Sequence, residues 1–380
     1  MSVAFANVTD ITIPQGNVTK ITETATGRVL WEKKRPLSAH WEWIYFTDAE
    51  NSKHYNACMC VENGNNLVCF DDYFGIGKRF NYNLTNGDIT DMYRMDNNEI
   101  FDYDEAEKEF NDPNNDYPQI STAAADIDPL TKTWCVVGGN YYLCSSFSDL
   151  KIKELKTTRR LGGAFLCCWS ETLKRFCICG RQGTFLVNIN GQITAESEKI
   201  SFLSVVLDYY FSIAWSPELQ IFLVTLGKEK VAKSADGINW DIYTPDLPNL
   251  PDATSKTLTG VSWIPMLNAF IASVCYQTKS YVYTSKDGRN WQYLSEFSWS
   301  NVTISNINPI LRTIYLPKQK LILMIGTVRS FLSNNGQDWI ELKYGPSILT
   351  QGYAIWSETL KTAVYLEHAQ RGSFAKLIID

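Results

Sequence analysis

Three phrases in the C-terminal half of the chain repeat one another. KSADGINWDIYT begins at Lys233, TSKDGRNWQYL follows with its serine 51 residues later, and LSNNGQDWIEL follows 48 beyond that. They align Ser234 with Ser285 and Ser333, Gly237 with Gly288 and Gly336, and Trp240 with Trp291 and Trp339. A second phrase precedes each of them: AWSPELQIFLVT around Trp215, SWIPMLNAFIAS around Trp263 and IYLPKQKLILMI around Tyr315. The same phrase is written at CWSETLKRFCIC (Trp169) and IWSETLKTAVYL (Trp356), and more weakly at DIDPLTKTWCVV, where Ile127 takes the tryptophan slot. From Ile127 the separations are 42, 46, 48, 52 and 41 residues. A chain that writes one unit at such a period folds the same supersecondary piece again and again.

Each unit reads as four strands. An apolar strand ends at the Trp-Ser-Pro turn and a second (QIFLVT, NAFIAS, KLILMI) follows at once, the pattern of a hairpin. A third carries V-A-K-S or V-Y-T-S, and an Asx-Gly corner then turns into a fourth at the tryptophan. Asx-Gly suits such a corner because its central positions need positive φ. The Asp236 and Asp287 carboxylates can accept hydrogen bonds from turn amides, and the tryptophan can pack beneath. Asn335, with Asp338 nearby, replaces the aspartate in the third copy, as expected of a turn rather than of a reactive group. Four short antiparallel strands in about 45 residues describe a β-propeller blade.

The expected fold is therefore all-β, a seven-bladed propeller over residues 36–380 with six blades as the runner-up. Six units start near Ile127, Trp169, Trp215, Trp263, Tyr315 and Trp356, and the region from Tyr55 to Tyr82 has strand signal for one more. The last unit reaches Asp380 without a fourth strand. HWEWIYF, residues 40–46, reads as the strand that completes it and closes the ring, removing an exposed edge. Residues 1–35 stand apart as a small strand-rich attachment segment (ITIP, NVTKITET, ATGRVLWEKK). An insertion at 84–120 holds 11 acidic residues between Asp88 and Asp116, against Arg94 and Lys108. It reads as a solvated loop, with Asp102, Asp104 and Glu105 as its sharpest candidates for a cation or partner contact, although their spacing is not that of a calcium loop.

Composition excludes more than it identifies. The net charge of −6 and the absence of a basic cluster argue against nucleic acid, and no apolar run reaches the length that spans a bilayer. The opening residues do not read as a secretory signal. The 10 cysteines sit in apolar alternating runs such as NACMCV and RFCICG and read as free core thiols. With 3 histidines and no C-x-x-C, no metal site is expected, and no cofactor. G-x-S-x-G, H-E-x-x-H and the phosphate loop are absent, so no catalytic residue is assigned. Binding fits better: Tyr141–Tyr142, Tyr209–Tyr210–Phe211, and Phe297 with Trp299 are candidate ligand-contacting aromatics, although each can equally pack within a strand.

The S-x-D-G-x-N-W phrase resembles the Asp-box of sialidase-type propellers, shortened by one residue between Asp and Trp. In that family the box stabilises the fold, so the resemblance assigns Ser234, Asp236, Gly237, Trp240, Ser285, Asp287, Gly288, Trp291, Ser333, Asn335, Gly336 and Trp339 to structural corners. The arginine motif of those enzymes is absent here; KRPL at 34–37 is a poor substitute. The N-terminal ITIPQGNVTKITETATGRVLW resembles a short module of tailed-bacteriophage virion proteins, and the whole is similar to tail, collar or fibre proteins of crAss-like gut phages. The resemblance implies a virion location after synthesis in the host cytoplasm. It also implies other virion proteins as partners through residues 1–35, and a host-surface glycan or receptor as the propeller's ligand. Trimers are common among fibre attachments, but no heptad run marks one here. The alternative is a bacterial Asp-box propeller that binds or hydrolyses glycans.

Overall fold

The computed structural model describes residues 20–22, 29–32, 37–45, 59–73, 76–89, 93–94, 124–138, 141–145, 153–154, 164–180, 183–197, 212–227, 229–251, 255–299, 310–327, 329–342, 352–367 and 373–379. Strands dominate them, and their only helical turn is a 3-10 turn at Pro265–Leu267. The chain divides into two compact units. Residues 1–38 with 379–380 form one, within which Lys20–Thr22 pairs antiparallel with Val29–Glu32; residues 39–378 form the other.

The larger unit is a β-propeller of four-stranded antiparallel sheets. In chain order the sheets span residues 59–94 (sheet 1), 124–154 (sheet 2), 164–197 (sheet 3), 212–243 (sheet 4), 259–298 (sheet 5) and 310–341 (sheet 6). Sheet 7 takes three strands from 352–379 and its fourth, Ala39–Tyr45, from the other end of the sequence. In sheets 1 to 6 the four strands follow one another in chain order, as do the first three strands of sheet 7. The first strands of successive sheets, such as Ser212–Ser216, Thr259–Ile264 and Ile310–Leu316, lie against one another around a common axis.

The second and third strands are buried on both faces because a neighbouring sheet covers each side. This is why they read as unbroken apolar runs rather than alternating ones. Trp134–Gly138 and Leu321–Gly326 are buried at every position, whereas the outer strand Ile193–Ser197 alternates half-buried with exposed. Each gap holds its own apolar cluster: Phe185 and Val187 of sheet 3 join Cys135 and Val137 of sheet 2, while Leu186 and Cys177 of sheet 3 join Phe222 and Trp240 of sheet 4. The tryptophan slot supplies a cross-strand aromatic pair in three sheets. Trp169, Trp215 and Trp263 face Phe176, Phe222 and Phe270 in register, with ring centroids 4.7, 4.6 and 5.1 Å apart.

The turn after that slot is equally regular. Five residues beyond it Lys132, Lys174, Gln220, Asn268, Lys320 and Lys361 all adopt φ between 47° and 59°. Buried serine hydroxyls at Ser170, Ser216 and Ser357 accept the amides of Leu173, Leu219 and Leu360 at 3.1, 3.0 and 3.0 Å, which fixes the turn from inside. The cysteine runs lie in these strands, and Cys60, Cys69, Cys135, Cys177 and Cys179 are fully buried thiols.

Candidate functional site

All three Asx-Gly corners form and each is built the same way, but positive φ falls on the glycine alone (Gly237, Gly288, Gly336), not on the Asx before it, so these are not the two-residue turns expected from the sequence. At the first, the Asp236 carboxylate accepts the amides of Ile238 and Asn239 at 2.9 and 2.7 Å and the Asn239 side chain at 2.7 Å. The Ser234 hydroxyl donates to the same carboxylate at 3.0 Å and accepts the Gly237 amide at 2.9 Å. Asp287 repeats the set, accepting from Arg289, Asn290 and Ser285 at 2.8, 2.8 and 3.1 Å. At the third corner the Asn335 amide oxygen accepts Gln337 and Asp338, both at 2.8 Å, and its NH2 donates to Asp338 at 2.7 Å. An uncharged acceptor does the same work there.

Each corner then docks on the preceding sheet. The Trp240 indole N–H lies 3.0 Å from the Gly237 carbonyl and 3.1 Å from the Thr184 hydroxyl, which itself donates to that carbonyl at 3.1 Å. Trp339 makes the same triangle with Gly336 and Ser295, at 3.0 and 3.0 Å, closed by a 2.7 Å bond from Ser295 to Gly336. At the middle corner the Tyr243 hydroxyl donates to the Gly288 carbonyl and accepts the Trp291 indole at 3.2 Å. Burial drives the Tyr243 phenol up to about 12 despite the Trp291 bond, so it stays a donor at any ordinary pH. Thr184, Tyr243 and Ser295 had no sequence signature, because each is a different residue type at a different offset from its corner. The Arg289–Asp241 pair crosses the same seam, but both side chains are about half exposed and contribute little.

Burial pushes the Asp236 and Asp287 carboxyls upward, but the amide, asparagine and serine donors outweigh it and hold both at about 2. A carboxylate whose folded pKa lies below its usual ~3.9 stabilises the fold above that value and loses the contribution as pH falls toward 2. The urea midpoint is therefore expected to drop between about pH 4 and pH 2. The double variant Asp236→Asn, Asp287→Asn, which copies the third corner, should show a shallower drop over that window. Equal slopes for the two proteins would mean that these carboxylates do not carry the acid sensitivity.

The other sequence candidates fall elsewhere. Phe297 and Trp299 do not present themselves to a ligand: they are 8% and 4% exposed and pack on Phe331 of sheet 6, with centroids 4.1 and 6.4 Å away. Tyr141 and Tyr142 open the third strand of sheet 2. Tyr209–Tyr210–Phe211 and the acidic triplet Asp102, Asp104 and Glu105 lie outside the described residues, as does most of 84–120.

A cavity of about 280 Å³ opens among the first strands, lined by Cys168, Ser212–Trp215, Val261–Trp263, Arg312–Ile314 and Ala354. These strands pair on one edge only, so their other backbone edge faces the opening. Arg312 is its one ionised wall residue, with its guanidinium carbon 4.0 Å from the centroid of the Tyr353 ring. The Tyr353 hydroxyl in turn donates to the Ala125 carbonyl. Asp126, beside that carbonyl, accepts the Ile127 and Trp169 amides at 2.8 and 2.6 Å. Burial raises its carboxyl, the two amides and the Arg312 charge pull it back, and it settles at about 6.

No protein-family model matches the sequence, and no curated protein matches it. Among solved structures the chain is similar to one from the crystal structure of the mitotic checkpoint complex, with a TM-score of 0.58 and 8% identity over 100% of this chain and 99% of that one. The likeness shows the fold alone. It is one of 1120 matching chains, a breadth that ties the propeller to no single activity.

Proposed function

We propose that this chain is a structural protein of a tailed-bacteriophage virion, a tail, collar or fibre component. In this reading its first 35 or so residues attach it to a neighbouring virion protein. Its propeller, seven blades in one closed ring, faces outward toward assembly partners or a host-surface glycan or receptor. The observation that carries the reading is the division of the chain. Residues 1–38 contain a two-stranded sheet of their own, within a compact unit distinct from the propeller. A short strand-rich unit of this kind can dock by pairing its edges with another protein. The phage-like wording of residues 11–31 adds to it.

Seven blades are supported by the way sheet 1 sits between sheets 7 and 2. Its first strand, Met59–Asn63, lies against both Gly352–Ser357 and Ala124–Ile127. Glu62 accepts the Glu358 and Thr359 amides, both at 2.7 Å, and Val68 and Phe70 share a cluster with Ala125, Trp134 and Tyr353. A binding and assembly role suits corners whose carboxylates are already saturated by their own turns and hold no spare capacity for proton transfer.

The test compares particles assembled with the full chain and with a chain lacking residues 1–38. Loss of the propeller from purified particles, with the shortened chain still folded, is the expected result. Full occupancy without the segment would refute the attachment. A glycan array on the intact chain, and turnover of aryl glycosides abolished by one carboxylate substitution, would instead favour a bacterial glycan-binding or glycan-hydrolysing propeller.

A further inference from the structure

The cavity among the first strands has one positive charge on its wall, and no acidic side chain lines it. Arg312 makes no hydrogen bond and no ion pair with any described residue; its one close partner is the face of Tyr353. Asp126 does not pair with it and has an amide on each oxygen.

The complementary ligand is an acceptor with negative charge. A guanidinium held against an aromatic face keeps its planar fork free for two oxygens of one group. At about 280 Å³ the space is just below the range of drug-sized pockets, which suits a small ligand.

We propose that the propeller's central cavity is a binding site for a small oxyanion, phosphate or carboxylate, with Arg312 as its principal ligand-binding residue. The site is independent of the virion reading, since it belongs to the propeller whatever the chain attaches to.

The test is titration of the full chain with sodium phosphate and, separately, sodium acetate, at constant ionic strength in sodium chloride. It is read by calorimetry and, for phosphate, by 31P line broadening. At least one anion is expected to bind saturably; which one does separates a tetrahedral from a planar ligand. Arg312→Gln should weaken that binding about tenfold or more, while Arg175→Gln, on the outer surface of sheet 3, leaves it unchanged. Arg312→Lys keeps the charge and loses the fork, so it should fall between wild type and Arg312→Gln, and it carries the comparison if Arg312→Gln does not fold. Equal binding by wild type and the Arg312 variants would overturn the proposal. So would the absence of saturable binding of either anion.

Discussion

A chain starting at Phe46 is expected to lose cooperative folding, whereas one starting at Ala39 should melt like the full-length protein. The seven residues between these two starts form the outer strand of sheet 7, beside Ser373–Ile379. Trp41, 2% exposed, packs its ring 5.9 Å from that of Tyr365, and Glu42 pairs with Lys376 at 3.1 Å. Removing a single large core aromatic costs about 3–5 kcal/mol, and a domain's whole stability is about 5–15. Losing the strand also takes Ile44 away from the cluster that contains Phe374, 1% exposed, and leaves a bare sheet edge. Circular dichroism melts of the two truncations decide the matter. A peptide of residues 36–47 added to the shorter chain should restore the transition, and indistinguishable melts without it would show that the strand does not seal the sheet.

What the sequence made legible was whatever repeats with the same residue types at the same offset. The Trp-Ser-Pro turns, the paired apolar runs and the Asx-Gly corners are local devices, and Ser234, Asp236 and Trp240 form their corner within seven residues of chain. What crosses from one sheet to the next was not legible. Thr184, Tyr243 and Ser295 reach equivalent carbonyls from a third strand in one case and fourth strands in the others. No fixed spacing could mark them.

Phe297 and Trp299 illustrate the complementary difficulty. Both read as aromatics a loop might present, but the strand Gln292–Ser298 extends far enough to turn Phe297 inward, and Trp299 follows it onto Phe331. In a strand a shift of one residue exchanges core for solvent, and periodicity alone does not set that phase. Arg312 was hidden for a different reason. A lone arginine in an apolar first strand carries no motif, and only the folded arrangement of the sheets brings it beside Tyr353 and onto the wall of a cavity.

Alanine substitutions at Gly260, Gly237 and Gly64 are expected to destabilise in that order, because the three share a backbone conformation and differ in what lies beyond it. Their φ values are +62°, +72° and +55°, so each alanine incurs a left-handed cost of about 1–2 kcal/mol. At Gly64 nothing lies within 4 Å of the added carbon, and that cost is the whole effect. At Gly237 the carbon would come 2.7 Å from Leu186 Cδ2 of sheet 3, the tip of a side chain that can turn aside. At Gly260 it would meet Ile310 Cγ2 at 2.7 Å and the Ile310 carbonyl at 3.0 Å, in the first strand of sheet 6. Backbone there cannot withdraw without opening the seam between sheets 5 and 6, so overpacking adds about 1–3 kcal/mol. Urea unfolding midpoints of the three variants give the ranking directly. Equal losses at all three would mean that the seams between sheets yield freely. A graded series would mean that close approach of neighbouring sheets at their glycines, as much as the corners' hydrogen bonds, holds the ring together.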